Sequence, residues 1–93
     1  MQFTAKLIKI LPLESGSGTH GEWKKQDIIV ETEDKYPKKI CVSIYGDNVD
    51  KFKSALEIGN LLELRVNIES KEYNGKWYTS VKTWDIKHII LRV

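Results

Sequence analysis

Residues 65–84 read RVNIESKEYNGKWYTSVKTW, and this stretch decides the fold. Two alternating runs flank Asn74-Gly75, the dipeptide most typical of a two-residue hairpin, because a type I′ turn needs φ > 0 at both central residues. Such a turn fixes the register of the two strands. One face of the predicted hairpin is then apolar and carries Val66, Ile68 and Val81, with Trp77 near the tip.

The opposite face of this hairpin combines aromatic rings with cations. The register pairs Tyr73 with Lys76, Lys71 with Tyr78, Asn67 with Lys82 and Arg65 with Trp84. Rings stack bases and cations meet phosphates, so this face suits a single-stranded nucleic acid. The same pairs also stabilise hairpins by themselves, by roughly 0.2–1 kcal/mol each, so a purely structural interpretation stays open.

Length and composition set the class of protein. With 93 residues, the chain predicts one domain over residues 1–93, too small for a two-domain enzyme with a cofactor cleft. A hydrophobic content of 41% is that of an ordinary globular protein. The net charge is only +2, so a nucleic-acid site must come from local clustering of cations.

The sequence offers little for catalysis, metals or membranes. Cys41 is the single cysteine, and the two histidines, His20 and His88, are far apart in sequence, so we expect no enzyme activity and no metal or cofactor. The run Gly16–Gly21 fits a dinucleotide-binding pattern, but a strand and not a helix follows it, so we interpret it as a flexible loop. No segment resembles a signal peptide or a membrane span, which predicts a cytoplasmic protein.

The order of elements predicts the architecture. We expect strands over residues 2–13, 26–33 and 38–45, a loop over 14–23, and two further strands from Leu61 and Lys76. Asp47 or Asn48 caps a short helix, Gly59 suits its C-terminal cap, and residues 88–93 suit a further β segment. An all-β chain of five strands, with one helix between the third and fourth, matches the OB-fold, a Greek-key barrel. The expected core residues are Ile40, Val42, Ile44, Val66, Ile68 and Val81.

Aromatic and basic residues cluster at three places along this order. The first cluster ends the long loop, the second forms the turn between the second and third strands, and the third surrounds the hairpin. In an OB-fold these elements border one binding groove. The clusters are Trp23-Lys24-Lys25, then Tyr36 with Lys38 and Lys39, then Lys71, Tyr73, Lys76 and Tyr78.

Two long segments carry a family resemblance. Residues 21–52 (GEWKKQDIIVETEDKYPKKICVSIYGDNVDKF) and 58–86 (IGNLLELRVNIESKEYNGKWYTSVKTWDI) resemble a small bacterial family of unknown function, found mostly in Bacteroides-like organisms. More distantly, the chain resembles bacterial single-stranded-DNA-binding proteins, through Ile44-Tyr45-Gly46, Gly59 with its following strand, and Trp77-Tyr78-Thr79.

The second resemblance implies base stacking by aromatic residues on strand faces and hairpins. Tyr73 falls near a stacking position of those proteins, and Trp23 and Tyr36 lie in regions that hold others. The chain lacks the acidic C-terminal tail of those proteins and has a shorter turn between the second and third strands. The resemblance therefore implies a minor, phage-borne or mobile-element binder, assembled at least as a dimer.

Together these observations predict a non-catalytic protein that binds single-stranded nucleic acid, with DNA favoured over RNA. The predicted stacking residues are Trp23, Tyr36, Tyr73, Tyr78 and Trp84. The predicted phosphate contacts are Lys24, Lys25, Lys38, Lys39, Arg65, Lys71, Lys76 and Lys82. The alternative is a protein-interaction or assembly module that buries the same aromatic face, because interfaces are also rich in Tyr, Trp and Arg.

Overall fold

The computed structural model describes residues 1–19 and 21–90. Strands β1 to β6 span Gln2–Ile10, Glu14–Gly18, Gly21–Thr32, Lys39–Tyr45, Leu61–Tyr73 and Lys76–Ile89. Helix α1, Asn48–Lys51, and the 3₁₀ turn Lys53–Ala55 connect β4 to β5. His88 and Ile89 end β6 and form no separate strand, and the rest of the predicted tail segment from Leu91, like His20, lies outside the described residues.

The strands form a closed ring, which confirms the predicted OB-fold. The order is β1-β5-β6-β4-β3-β2, and β1 also pairs with β3. Antiparallel pairing joins all neighbours except β4 and β6, which are parallel where Ser43 meets Lys82. The ring leaves β2 outside, as one arm of a hairpin with β3.

The core fills the ring, and α1 closes one end of it. Alternate residues of β1, β3, β4 and β5 point inward, as the two-residue period of a strand requires. Val49 of α1 and Phe52 just after it complete the cluster. The buried apolar strand residues are Ala5, Leu7, Ile28, Val30, Val42, Ile44, Leu62, Leu64, Val66 and Ile86.

The prediction that Ile68 belongs to the core is wrong. Its side chain is 51% exposed, whereas Ile40 and Val81 are partly buried against the core. Pairing along β5 by the N-terminal segment extends only to Met1, whose amino group and carbonyl oxygen form hydrogen bonds with the backbone of Val66. Beyond that point the β5–β6 hairpin leaves the barrel, so its apolar side has no opposing layer.

The hairpin turn has the predicted geometry. Asn74 and Gly75 have φ of 51° and 80°, the positive values of a type I′ turn. Three of the four predicted pairs are present, Tyr73 with Lys76, Lys71 with Tyr78 and Asn67 with Lys82.

The fourth predicted pair is wrong because the register shifts by one residue. Arg65 lies opposite Asp85, and Trp84 is the extra residue of a β-bulge. The buried hydroxyl of Thr83 lies 2.9 Å from the carbonyl oxygen of Arg65 and 3.0 Å from that of Asp85. Its single proton can donate to either carbonyl oxygen, which gives the backbone a side-chain hydrogen bond at the bulge.

The segment expected to be a loop is mostly β structure. Strand β2 pairs with β3 from Glu14 opposite Lys25 to Gly18 opposite Gly21, so β3 begins well before the predicted Gln26. Glycine and serine are typical of loops, but here backbone hydrogen bonds with β3 hold them in a strand. This hairpin fixes the position of Trp23.

The helix is present with Asp47 at its N-cap, as predicted, but Gly59 is not its C-cap. Asp47 holds the N-cap position without a side-chain hydrogen bond to the helix. Gly59 has φ of 97° and comes after the 3₁₀ turn has ended at Ala55, so it is not the C-cap. Its N–H donates to the carbonyl of Leu7 at 2.8 Å, which ties the segment to β1.

Candidate nucleic-acid interface

The outward side of the barrel carries the candidate interface. We use "outer face" for the solvent side of β3, β4, β5 and β6, opposite the core residues of the same strands. Strand alternation places cations, rings and carboxylates on it. The residues of this face used below include Trp23, Lys25, Asp27, Lys39, Cys41, Ser43, Tyr45, Arg65, Asn67, Glu69, Lys71, Tyr73, Lys76, Tyr78 and Lys82, with Trp84 at the bulge.

Tyr45 lies at the centre of the outer face. Its side chain, the last of β4, is 42% exposed. The Nζ atom of Lys25, its partner across β3, lies 5.8 Å from the ring centroid, and the Nζ of Lys82 on β6 lies 5.2 Å from it. Both distances are within cation–π range. A half-exposed ring between two ammonium groups gives one base a stacking surface and its flanking phosphates two cations.

Sequence reasoning missed Tyr45 as a site residue. The alternation of β4 already put it on the outward face with Lys39, away from Val42 and Ile44. It belongs to none of the three clusters, however, because its cations come from β3 and β6. The parallel contact between β4 and β6 brings Lys82 to it, and a contact between strands so distant in sequence leaves no local pattern.

Each lysine beside Tyr45 also contacts a carboxylate. Lys82 Nζ lies 2.6 Å from Glu69 Oε1, and Lys25 Nζ lies 3.5 Å from Asp27 Oδ2. The hydrogen bond with Lys82 lowers the pKa of Glu69 and raises the pKa of Lys82. Burial opposes the charge of Lys25, but Asp27 and the other nearby groups outweigh it and raise its pKa. Both lysines are therefore firmly charged at neutral pH.

Asp27 is fixed from its other side as well. The hydroxyl of Ser43, which is buried between β3 and β6, donates to Asp27 Oδ1 at 2.7 Å. Nearby, desolvation and the charge of Asp27 raise the pKa of the Cys41 thiol, which disfavours the reactive thiolate.

Arg65 and Trp84 meet despite the register shift. The guanidinium carbon of Arg65 lies 5.7 Å from the centroid of the Trp84 ring, which is 48% exposed. The bulge thus keeps the ring on the outer face beside the cation with which it was predicted to pair. The pair offers a flat stacking surface and a positive charge at one place.

The remaining hairpin residues extend the outer face to the tip. Lys71 lies opposite Tyr78, Tyr73 opposite Lys76, and both rings are largely exposed. From Trp84 to Lys76 the strand covers about 26 Å at roughly 3.3 Å per residue.

The first predicted cluster is divided between two faces. Trp23 and Lys25 share the outward side of β3, and the indole of Trp23 lies over Gly16 on β2. Lys24 points to the other side, where it forms an ion pair with Asp50 of α1. Hydrogen bonding with Asp50 raises the pKa of Lys24 and lowers that of the carboxyl group. Lys24 is thus held away from the outer face.

The second predicted cluster lies at the far end of β3 and β4. Tyr36 is exposed in the connecting turn, with Lys35 Nζ 5.7 Å from its ring centroid. Lys39 is on the outer face opposite Glu31, whereas Lys38 lines an apolar groove at the barrel mouth. About 20 Å of strand separates Lys25 from Glu31, so this cluster lies at the opposite end of β3 from Trp23.

Within residues 1–19 and 21–90, no group of three or more His, Cys, Asp or Glu side chains is placed to hold a metal ion. In the same part of the chain, no helix is long and apolar enough to cross a membrane.

The chain belongs to the family described as a domain of unknown function, DUF3127, whose model matches residues 2–87. This confirms the expected membership of a family of unknown function, and the Bacteroides-type distribution stays a prediction. A comparison with curated proteins gave no match.

Solved structures share the fold at low sequence identity. The mitochondrial single-stranded DNA binding protein Rim1 of S. cerevisiae has a TM-score of 0.74 at 7% identity, over 96% of this chain and 92% of that one. The dimeric N-terminal domain of PriB from Thermoanaerobacter tencongensis has 0.67 at 21% identity, over 98% and 96%. The SSB domain of a Synechococcus sp. protein has 0.65 at 12% identity, over 95% and 92%. These likenesses show that the chain shares the OB-fold of these proteins.

Proposed function

We propose that the protein binds single-stranded nucleic acid, DNA in the first place, without catalysing a reaction. The observation that carries the proposal is the Tyr45 ring, exposed between Lys25 and Lys82 on an outer face that continues to Trp84 and Arg65. Bases stack on exposed rings with little regard to sequence, and lysines follow the backbone. The name of Rim1, a mitochondrial single-stranded DNA binding protein, favours DNA over RNA as the ligand.

The proposed contact residues follow the outer face. Trp23, Tyr45, Tyr78, Trp84 and Tyr73 stack bases. Lys25, Lys39, Arg65, Lys71, Lys76 and Lys82 contact phosphates. Tyr36, Lys24 and Lys38, which the sequence also predicted, are peripheral in this proposal, because they lie in a distant turn, on the opposite side of β3 and at the barrel mouth.

One titration tests the proposal. A labelled single-stranded oligothymidine is mixed with the protein at low salt, and its fluorescence anisotropy is followed together with the tryptophan emission. We expect saturable binding, quenching of tryptophan, and a log affinity that falls with log salt by roughly 0.7 per phosphate contact. Flat titrations with both DNA and RNA at low salt would end the proposal.

A second function, assembly with another copy of this chain, is favoured by the opposite side of the hairpin. Trp77 is 67% exposed there, on the same side of the hairpin as Ile68, and Ile68 lines an apolar groove at the barrel mouth. Asp34 and Lys38 both line this groove. A two-fold axis that brings Asp34 of one copy to Lys38 of the other would pair opposite charges twice. Light scattering on the wild type and on Trp77→Ala tests this surface. If the wild type is a dimer and Trp77→Ala has the same mass, Trp77 is not part of the interface.

A cytoplasmic location stays a prediction.

A further inference from the structure

The two lysines beside Tyr45 are not free cations in the protein alone. Lys82 is in direct contact with Glu69, and Lys25 lies within ion-pair distance of Asp27. All four side chains belong to the outer face, so a phosphate that approaches Tyr45 meets these carboxylates as well as the ammonium groups.

We propose that Glu69 and Asp27 compete with the nucleic-acid backbone for Lys82 and Lys25, and so restrain binding at the Tyr45 site. This inference rests on the proposed function, and it identifies two side chains of the protein that weaken its own binding of nucleic acid. Binding at Tyr45 then requires an exchange, in which a phosphate takes the lysine contact and the carboxylate turns to water.

The two carboxylates differ in how readily they can be exchanged. The side chain of Glu69 is 45% exposed and sits on the part of β5 that extends beyond the barrel. Asp27 is more buried and its second oxygen accepts the hydrogen bond of Ser43. Glu69 is thus the carboxylate that can leave its lysine, and Asp27 is the fixed one. This makes Lys82 the more available of the two cations.

A carboxylate beside a lysine acts in two opposing ways. It holds the ammonium group in place, which helps a ligand, and it repels the phosphate and occupies a donor, which hinders it. For an exposed pair the gain from holding a long side chain is small, because such pairs contribute little net free energy. Like charges about 4 Å apart repel by a comparable or larger amount even in water. We therefore expect the net effect of the carboxylate to be weaker binding of the phosphate.

The test compares Glu69→Gln with Glu72→Gln. Both variants raise the net charge by one on the same strand, but Glu72 lies on the other face of the hairpin, opposite Trp77. Affinity for an oligothymidine of about 12 nucleotides, within the range of an OB-fold site, is measured by anisotropy at low salt. We expect Glu69→Gln to bind about two- to fivefold more tightly than the wild type and Glu72→Gln to stay close to it. Added salt should shrink the difference.

Each other outcome overturns the inference in a recognisable way. Equal affinities of wild type and Glu69→Gln, with binding intact, reject the competition but leave the proposed function standing. Weaker binding by Glu69→Gln would make Glu69 a positioning residue for Lys82. An equal gain in both variants would reduce the effect to net charge. A wild type that binds no oligonucleotide ends both proposals together.

Discussion

Lys82 Nζ lies 5.2 Å from the centre of the Tyr45 ring, across the parallel contact between β4 and β6. That contact closes the barrel, so the same strand pairing that completes the fold also assembles the stacking site. The distance between the Lys82 ammonium group on β6 and the Tyr45 ring on β4 is therefore set by the pairing of the two strands.

Replacing Tyr45 tests the centre of the outer face. Tyr45→Ala removes one stacking surface, worth roughly 1–3 kcal/mol, so oligonucleotide affinity should fall about five- to over a hundredfold. Tyr45→Phe keeps the ring and should bind nearly as well as the wild type. Anisotropy gives the affinities and thermal unfolding checks the fold. Full affinity in a folded Tyr45→Ala protein would remove this residue from the site.

Two adjacent lysines provide a matched test of the phosphate contacts. Lys25 is on the outer face beside Tyr45, and Lys24 is on the other side, paired with Asp50. Lys25→Ala should reduce the salt slope of binding by about 0.7, whereas Lys24→Ala should leave the slope unchanged. The two variants have the same net charge, so bulk electrostatics cannot separate them. A loss of slope in Lys24→Ala would place the binding path on the helix side of β3.

Gly16 determines where the Trp23 ring can lie. A Cβ built at Gly16 would come within 2.8–2.9 Å of three indole atoms, whereas at Gly18 the closest indole atom would be 4.0 Å away. Gly16→Ala should therefore displace Trp23, shift the tryptophan emission and weaken binding, and Gly18→Ala should do much less. Emission spectra and anisotropy check both variants. Identical spectra for the two would show that the ring is not held against Gly16.

The sequence could predict the five strands of the ring and most of the hairpin because their signals are local. Asn74-Gly75 specifies the turn, and alternation around Val42 and Val66 specifies the core side. The bulge at Trp84 could not be read in advance, because no glycine marks it and the hydroxyl of Thr83 supports it through space. The opposite directions of the Lys24 and Lys25 side chains could be predicted only if β3 was known to begin before Gln26.

A substitution on β5 should destabilise the protein more inside the barrel than on the part of the strand that extends beyond it. Leu64 is fully buried, whereas Ile68, four residues further along β5, is half exposed. Leu64→Ala should lower the free energy of unfolding by about 2–5 kcal/mol, and Ile68→Ala by much less, because little packing is lost there. Urea unfolding measures both. Comparable losses would mean that another surface covers Ile68 in solution.

The hairpin tip gives a prediction that depends on ligand length. Tyr73 is exposed at the end of the outer face, and Trp23 lies beyond Tyr45 at its other end. A short oligothymidine that occupies Tyr45 and Trp84 does not reach the tip, so its affinity should be insensitive to Tyr73→Ala. A longer one contacts the tip, and there the same substitution should cost about five- to over a hundredfold. Anisotropy with a series of lengths gives both values, and thermal unfolding should be unchanged, because the ring packs on no core residue. An equal loss of affinity at every length would place Tyr73 at the centre of the site. No loss at any length would show that the bound oligonucleotide does not reach the hairpin tip.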